Sequence, residues 1–314
     1  MAKNYDAIVL GGGPAGLSAA LTLARARRSV LVTDAGQGRN VRSAGVRDFL
    51  TRDGCAPADL ASAGRTEITR YGGQFVDQQV VSARRDGSTF EVIVEDGSSI
   101  HARKLLLASG LVDELPDIKG LAQLWGTDVL YCPYCHGWEV RDQRIGVLGT
   151  IAESVHQALM FRQWSPKITL FLNDTIRLSE FQRVQLDARE IAVVTPAVTA
   201  VSSCNGRLDA VELADGTQVA VAALALLPRM VARTEFVGGL GLRIVPHPSG
   251  FGENVETDDT CHTSVAGVYA AGNAADISAH VVNSASAGLL AAMAINADLV
   301  EEDTDRAVAA RGRS

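Results

Sequence analysis

Cys132-Pro133-Tyr134-Cys135-His136 sets two thiols two residues apart, with an imidazole directly after them. Thiols at that spacing can close a small disulfide ring that opens again by exchange with another thiolate. Each exchange moves a proton, and an imidazole titrating near neutrality can take it or return it. Cys132, Cys135 and His136 are therefore the candidate catalytic residues. The same pattern also serves haem attachment or zinc binding in other proteins. Haem attachment needs export, and the start MAKNYDAIVLGGG lacks a basic stretch followed by an apolar stretch and a cleavage site. Zinc needs two more ligands, and the tempting pair, Cys261-His262, falls in the other domain by the division below. No metal is expected. Cys55, Cys204 and Cys261 are scattered, so one working pair with three inert thiols is expected, not a disulfide scaffold.

The elements that must position this pair follow from turn and strand signals. Gly11-x-Gly13-x-x-Gly16 succeeds an apolar strand at 6–10 and opens an Ala/Leu-rich helix at 17–26. A strand at 29–33 completes a βαβ unit and ends at Asp34. In such a unit Gly11 permits the turn, Gly13 lets backbone approach a pyrophosphate, and Gly16 lets helix and strand pack. The helix N-terminus faces the phosphates, and Asp34 is placed to accept from a ribose 2′-OH. Segments 90–94 and 101–108 read as antiparallel strands around Asp96-Gly97.

A second βαβ unit is expected from a strand at 144–148, a helix at 152–164 and a strand at 168–172. A hairpin follows, turning near Asn205-Gly206 and Asp215-Gly216. The last helix is expected at 285–300, with a loose charged tail after Glu301. Pro116 and the stretch 246–250 read as crossings between domains. The expected fold class is α/β: two Rossmann-like (three-layer ββα) nucleotide-binding-type domains, the second inserted into the first. Residues 1–115 and 246–314 form the first, dinucleotide-binding domain in this division, and 116–245 the inserted domain carrying the CxxC.

The chain has 314 residues, enough for two cores, and a formal charge of −7 with no basic cluster, which excludes a nucleic-acid partner. The longest apolar run, 219–227, is too short to span a bilayer, so no membrane partner is expected and the localisation expected is cytoplasmic.

GGGPAG at 11–16, Leu107-Ala108-Ser109-Gly110, the CxxC, and Gly267-Val268-Tyr269-Ala270-Ala271-Gly272-Asn273 together carry a resemblance. On these motifs the chain resembles the low-molecular-weight thioredoxin reductase family of flavoproteins over nearly its whole length. That resemblance implies FAD as cofactor and a homodimer. It implies FAD contacts from Gly11, Gly13, Pro14, Ala15, Gly16, Asp34, Arg39, Asn40, Ala108, Ser109, Gly110, Gly272, Asn273, His280 and Val281. Asn273 stands where the family usually places an acid on the ribityl chain, and an amide can still accept a hydrogen bond there. His280 is expected either to support proton transfer or to cap the last helix. The resemblance also implies that Cys135 lies against the flavin and that Cys132 exchanges with substrate, His136 standing where the reductases usually carry an acid.

The second βαβ turn reads Gly149-Thr150-Ile151-Ala152-Glu153-Ser154, and only the first glycine of the fingerprint survives. Ile151 obstructs a pyrophosphate, Glu153 adds negative charge, and Asn173-Asp174 follows the next strand with Arg177 as the nearby cation. Nicotinamide binding is expected to be lost. At CxxCHG the chain resembles the FAD-dependent dithiol oxidases that close disulfides in small natural products of the gliotoxin, holomycin and romidepsin kind. The implied reaction takes a small-molecule dithiol and O2 to a disulfide and H2O2. Two other readings stand beside it: a reductase driven by NADH, NADPH or ferredoxin, and a non-enzymatic redox sensor. Trp125, Tyr131, Tyr134 and Trp138 surround the dithiol in sequence, either as a pocket for a small heterocycle or as core.

Overall fold

The helices of the computed structural model, which describes residues 4–311, are α1 (Pro14–Arg25), α2 (Pro57–Arg70), α3 (Pro133–His136), α4 (Ser154–Phe161), α5 (Glu180–Ala188) and α6 (Val281–Arg311). The chain divides into two compact units. Of the described residues, one takes in those up to Val41, Cys55–Val112 and those from Met230 onward. The other holds Arg42–Gly54 and Asp113–Arg229.

In the first unit, Asn4–Leu10 lies between Val30–Thr33 and Ser99–Leu107, parallel to both. Val268–Ala270 adds to Ser99–Leu107, also parallel. Side chains alternate across this sheet as strand geometry requires. Ala7 and Val9 pack with Ala19, Ala20, Leu23, Ile68, Ala291 and Ile295 of α1, α2 and α6. Ile8 and Leu10 face the other way, onto Phe90, Val92 and Val94 of the antiparallel meander. This is the three-layer ββα arrangement expected.

Register brings Leu10, Thr33, Leu107 and Ala270 level with one another. The segments that follow them (Gly11–Gly16, Asp34, Ala108–Gly110 and Gly272–Asn273) therefore leave one edge of one sheet, at its carboxyl ends. Open α/β sheets bind ligands at that edge.

Helix α6 buries Ser284, Gly288, Ala291, Ala292, Ile295 and Leu299, a stripe at helical spacing. Burying Ile295 and Leu299 contributes about 1.5–3 kcal/mol each, more than a surface ion pair provides. The expected loose tail is instead the last part of this helix. Asp303 pairs with Arg28 at 2.6 Å, and Glu302 pairs with Arg103 at 2.8 Å and with Lys104 at 2.7 Å. Those cations sit on the body of the unit, so the charges hold the tail down.

In the second unit five parallel strands run in the order Ala192–Val194, Lys167–Phe171, Arg144–Leu148, Ala223–Leu226, Val129–Leu130. An antiparallel ribbon of Val198–Cys204, Arg207–Leu213 and Gln218–Ala220 accompanies them, turning where the Asn-Gly and Asp-Gly signals stand. Leu148, Phe171, Val211 and Leu224 share one core, and Ile145, Val147, Phe161 and Leu170 the other.

The chain leaves the first unit after Val112 and returns at Met230, not at 246. Pro246–Gly250 is a tight turn joining antiparallel strands Ile244–Pro246 and Gly252–Val255, closed by His247 N–H to the Gly252 carbonyl at 2.9 Å. Its breakers encode a hairpin, whereas the crossings run along the strands Leu111–Glu114 and Arg229–Ala232. Segment 42–54, which ends at the turn signal Asp53-Gly54, also belongs to the second unit. Among the described residues no helix is long and apolar enough to cross a membrane.

Candidate active site

The glycine turn of the first unit is built for a ligand. Gly11 has φ +119°, and a Cβ there would meet the Ala108 carbonyl oxygen at 2.3 Å. A Cβ on Gly16 would stand 1.9 Å from the Gly11 carbonyl oxygen. Both glycines are thus required by the protein itself. Gly13 is different: a Cβ there would meet nothing within 4 Å. It begins α1 with φ −74° and ψ −178°, a conformation open to any residue, and no side chain caps this helix end. Pro14 follows at the first helical position and Ala15 is buried beneath the turn. Open space in front of uncapped helix N–H groups suits a diphosphate.

Asp34 ends its strand with Oδ1 accepting from the Gly36 N–H at 3.1 Å. Arg39 and Asn40 lie in the loop beyond; the Arg39 guanidinium reaches Met230 Sδ at 3.2 Å. The Ser109 hydroxyl donates to the Arg233 carbonyl at 2.8 Å, and the Arg233 N–H donates to the Gly110 carbonyl at 3.1 Å. Arg233 Nη1 also donates to the Gln37 carbonyl at 3.0 Å. Arg233 therefore ties the Ala108–Gly110 turn to the loop after Asp34; no motif marked it in the sequence.

Asn273 follows Gly272 with its amide Nδ2 donating to the carbonyls of Asp276 (3.0 Å), Ile277 (3.3 Å) and Ala279 (3.0 Å). The donor end is committed to shaping the loop before α6, which leaves the amide oxygen as the side chain's acceptor. His280 precedes Val281, the first residue of α6, and its carbonyl accepts from Ser284 N–H at 2.9 Å. The donor set of this edge (helix N–H groups, a carboxylate and an amide oxygen, with a small-residue cradle) fits a dinucleotide such as FAD.

The second unit carries the dithiol. Pro133 opens the short helix α3, and Cys132 is its N-cap, with Sγ accepting from the Cys135 N–H at 3.2 Å. The two Sγ atoms lie 2.6 Å apart, within reach of a disulfide without backbone rearrangement. Cys132 is the more covered sulfur, its residue 7% exposed, while Cys135 is half-buried.

His136 Nδ1 and Nε2 are both shielded from solvent and have no hydrogen-bond partner among the described residues. Burial lowers the imidazole pKa below its ordinary value; the Cys132 sulfur and Glu139 oppose this, and Arg47 adds to it. Glu139 pairs with Arg47 at 3.1 Å, and Arg47 comes from segment 42–54. Neither residue was visible to sequence reasoning, because the pairing is long-range.

Trp125 packs against the core of the second unit. Tyr131 gives its carbonyl to Gln157 at 2.8 Å. Tyr134 and Trp138, by contrast, are 59% and 65% exposed beside the dithiol. Cys261 is a packing residue: it is buried, its Sγ lies 3.8 Å from the Ala287 carbonyl, and burial raises its thiol pKa.

The turn at 149–154 contrasts with the one at 11–16. Gly149 is held by packing, since a Cβ would meet the carbonyl oxygens of Phe171 and Leu172 at 2.7 and 2.9 Å. The Thr150 and Ile151 N–H groups point at the chain's own Ser154 Oγ, at 3.2 and 3.4 Å. Ser154 is fully buried, and its own N–H returns to the Ile151 carbonyl at 3.0 Å. Asn173 is also committed, Nδ2 to the Gly149 carbonyl at 3.4 Å and Oδ1 to Val198 N–H at 2.8 Å. An internal hydroxyl thus occupies the donors that such a turn would offer a phosphate.

Residues 5–288 match the family model described as pyridine nucleotide-disulphide oxidoreductase. The thioredoxin reductase tcpT of Claviceps purpurea is 32% identical, covering 95% of this chain and 95% of that protein. The thioredoxin reductase sirT of Leptosphaeria maculans is 32% identical over 93% of each. Among solved structures, HlmI superposes with a TM-score of 0.92 at 42% identity, covering 99% of this chain and 97% of that one. An oxidoreductase from Agrobacterium tumefaciens gives 0.89 at 34%, covering 95% and 99%. The chain belongs to the pyridine nucleotide-disulphide oxidoreductase family, as a thioredoxin-reductase-like disulfide oxidoreductase.

Proposed function

We propose that this chain is an FAD-dependent dithiol oxidase that closes an intramolecular disulfide in a small natural-product dithiol. The overall reaction is R(SH)2 + O2 → RS2 + H2O2. The observation that carries it is the pair of unlike turns: one uncapped and open at Gly13, the other filled by Ser154. With nicotinamide entry closed, the dithiol centre becomes the source of electrons. The homodimer common among thioredoxin-reductase-like enzymes is proposed here as well.

FAD, when bound along Gly11–Gly16, Asp34, Ala108–Gly110 and Asn273, supplies a two-electron acceptor that O2 reoxidises. The protein's residues do the sulfur chemistry. A substrate thiolate attacks Cys132 Sγ, the Cys132–Cys135 bond breaks, and Cys135 leaves as a thiolate. The second substrate thiol displaces Cys132 from the mixed disulfide, releasing the cyclic product and a reduced protein pair. Cys132 is 7% exposed, so attack on it requires that the sulfur become accessible. His136, buried and neutral, accepts the substrate thiol proton and returns it to solvent. The Cys135 N–H supports negative charge on Cys132.

The names of tcpT and sirT favour a second reading, disulfide reduction driven by NAD(P)H or ferredoxin. Anaerobic reduction separates the two. Dithiothreitol bleaches the flavin band near ~450 nm and NADPH and NADH do not, if the chain is an oxidase. Prompt bleaching by NADPH would reject it.

A further inference from the structure

We infer that Arg47 is a positioning residue for the dithiol centre: it ties down Glu139, so that His136 works as a neutral imidazole. This rests on the oxidase reading only in giving His136 its role as proton acceptor.

The loop 42–54 is shaped to hold that guanidinium. It closes on itself through Gly54 N–H to the Val46 carbonyl at 2.7 Å, and Arg52 N–H to the Phe49 carbonyl at 2.7 Å. Asp48 N–H donates to Asp53 Oδ1 at 3.1 Å, and Val46 is buried. Gly45 and Gly54 form the neck. A Cβ on Gly45 would sit 3.0 Å from the Gly54 carbonyl oxygen and 3.3 Å from Arg47 Cζ. A Cβ on Gly54 would sit 3.3 Å from Arg47 Nη1. Absent side chains at both positions leave the lane along which Arg47 lies. Such a compact, self-packed loop presents a side chain in a fixed place.

What Arg47 meets is one turn from the imidazole. Glu139 N–H donates to the His136 carbonyl at 3.1 Å, and Glu139 Oε1 lies 3.1 Å from Arg47 Nη2. The groups acting on His136 are Cys132 at the start of α3, Glu139 in the turn after it, and Arg47 from the loop. The Glu139 carboxylate favours an imidazolium in either redox state, and a Cys132 thiolate would add to it once the pair is reduced. An imidazolium cannot accept a thiol proton. Arg47 offsets that pull twice, by pairing with the carboxylate and by adding its own positive charge. The side chains of Arg47 and Glu139 are only 24% and 36% exposed, so solvent screens the pair incompletely.

The test follows His136 directly by histidine NMR titration in the holoenzyme. The chain has six histidines, and His136→Gln identifies the resonance by its loss. Arg47→Gln is expected to move the His136 midpoint upward, Glu139→Gln downward, and the double variant back toward wild type. Arg47→Lys keeps the charge and is expected to stay near the wild-type midpoint. An unmoved or lowered midpoint in Arg47→Gln, with Arg47→Lys folded and normal, overturns the inference. Dithiothreitol-driven O2 uptake on the same samples judges the oxidase reading separately. Wild-type enzyme that takes up no O2 would reject that reading while the NMR result stands on its own.

Discussion

Gly13→Ala separates the needs of the protein from the needs of its cofactor. The added methyl would meet no protein atom within 4 Å, and φ −74°, ψ −178° suits alanine. Losing a glycine stiffens the unfolded chain by about 0.4–1 kcal/mol in favour of folding. Alanine is a poorer helix N-cap than glycine by a similar amount. Stability should therefore change by no more than about 0.5 kcal/mol, from the balance of those two effects. A bound diphosphate changes the outcome, because the methyl would then enter a close contact costing about 1–3 kcal/mol. FAD affinity is expected to fall about 5- to 150-fold, at 1.4 kcal/mol per factor of ten. Fluorescence titration with FAD and denaturant unfolding of the FAD-free protein measure the two quantities. Gly16→Ala is the contrast: its Cβ would overlap the Gly11 carbonyl oxygen at 1.9 Å, so stability and FAD binding should fall together. A Gly13→Ala protein that binds FAD as tightly as wild type would refute the placement of the diphosphate.

Cys132→Ser and Cys135→Ser should each stay yellow and lose dithiothreitol-driven O2 uptake at an oxygen electrode; surviving turnover would rule out the dithiol route. Burial holds the His136 pKa down, so the base form persists as pH falls past the ordinary imidazole value of about 6.5, and the rate should drop only below it. His136→Ala should slow turnover about 100-fold or more and abolish that acid limb, and an unchanged pH profile would remove His136 from the mechanism. Ser154→Ala strands the Thr150 and Ile151 N–H groups and should cost about 1–3 kcal/mol in urea unfolding; a loss under about 0.5 kcal/mol would show the hydroxyl to be dispensable. Trp138→Ala should raise KM for 1,2-bis(mercaptomethyl)benzene and leave KM for dithiothreitol unchanged. Both dithiols close six-membered rings, so an unchanged ratio would show that Trp138 does not touch the aromatic ring.

What was legible in the sequence was short-range. Gly16 answers to Gly11 five residues before it, Gly13 to a ligand, and Cys132-Cys135-His136 share a single turn of chain, whereas the contact that demands Gly11, the Ala108 carbonyl, comes from another strand end. Asp34, Ser109 and Asn273 could be assembled only because strands of one sheet end level with one another, and strand patterns predict that edge. Arg47 could not be found this way. Its partner Glu139 is remote in sequence, and Asp53-Gly54 announces a turn without telling which unit the residues before it join. The helical tail was missed for the same reason, since Glu302 and Asp303 answer to Arg28, Arg103 and Lys104 from the first third of the chain. The turn at 149–154 shows where the two kinds of signal meet. Missing glycines say that a phosphate is no longer favoured, but they leave open what satisfies the N–H groups a phosphate would have taken. A buried donor left unpaired costs about 1–3 kcal/mol, so a turn that gives up its ligand must acquire an acceptor. Ser154 is that acceptor. A diphosphate entering this turn would have to displace a buried hydroxyl that cannot leave without stranding itself in the core, which is what the proposed loss of nicotinamide binding requires.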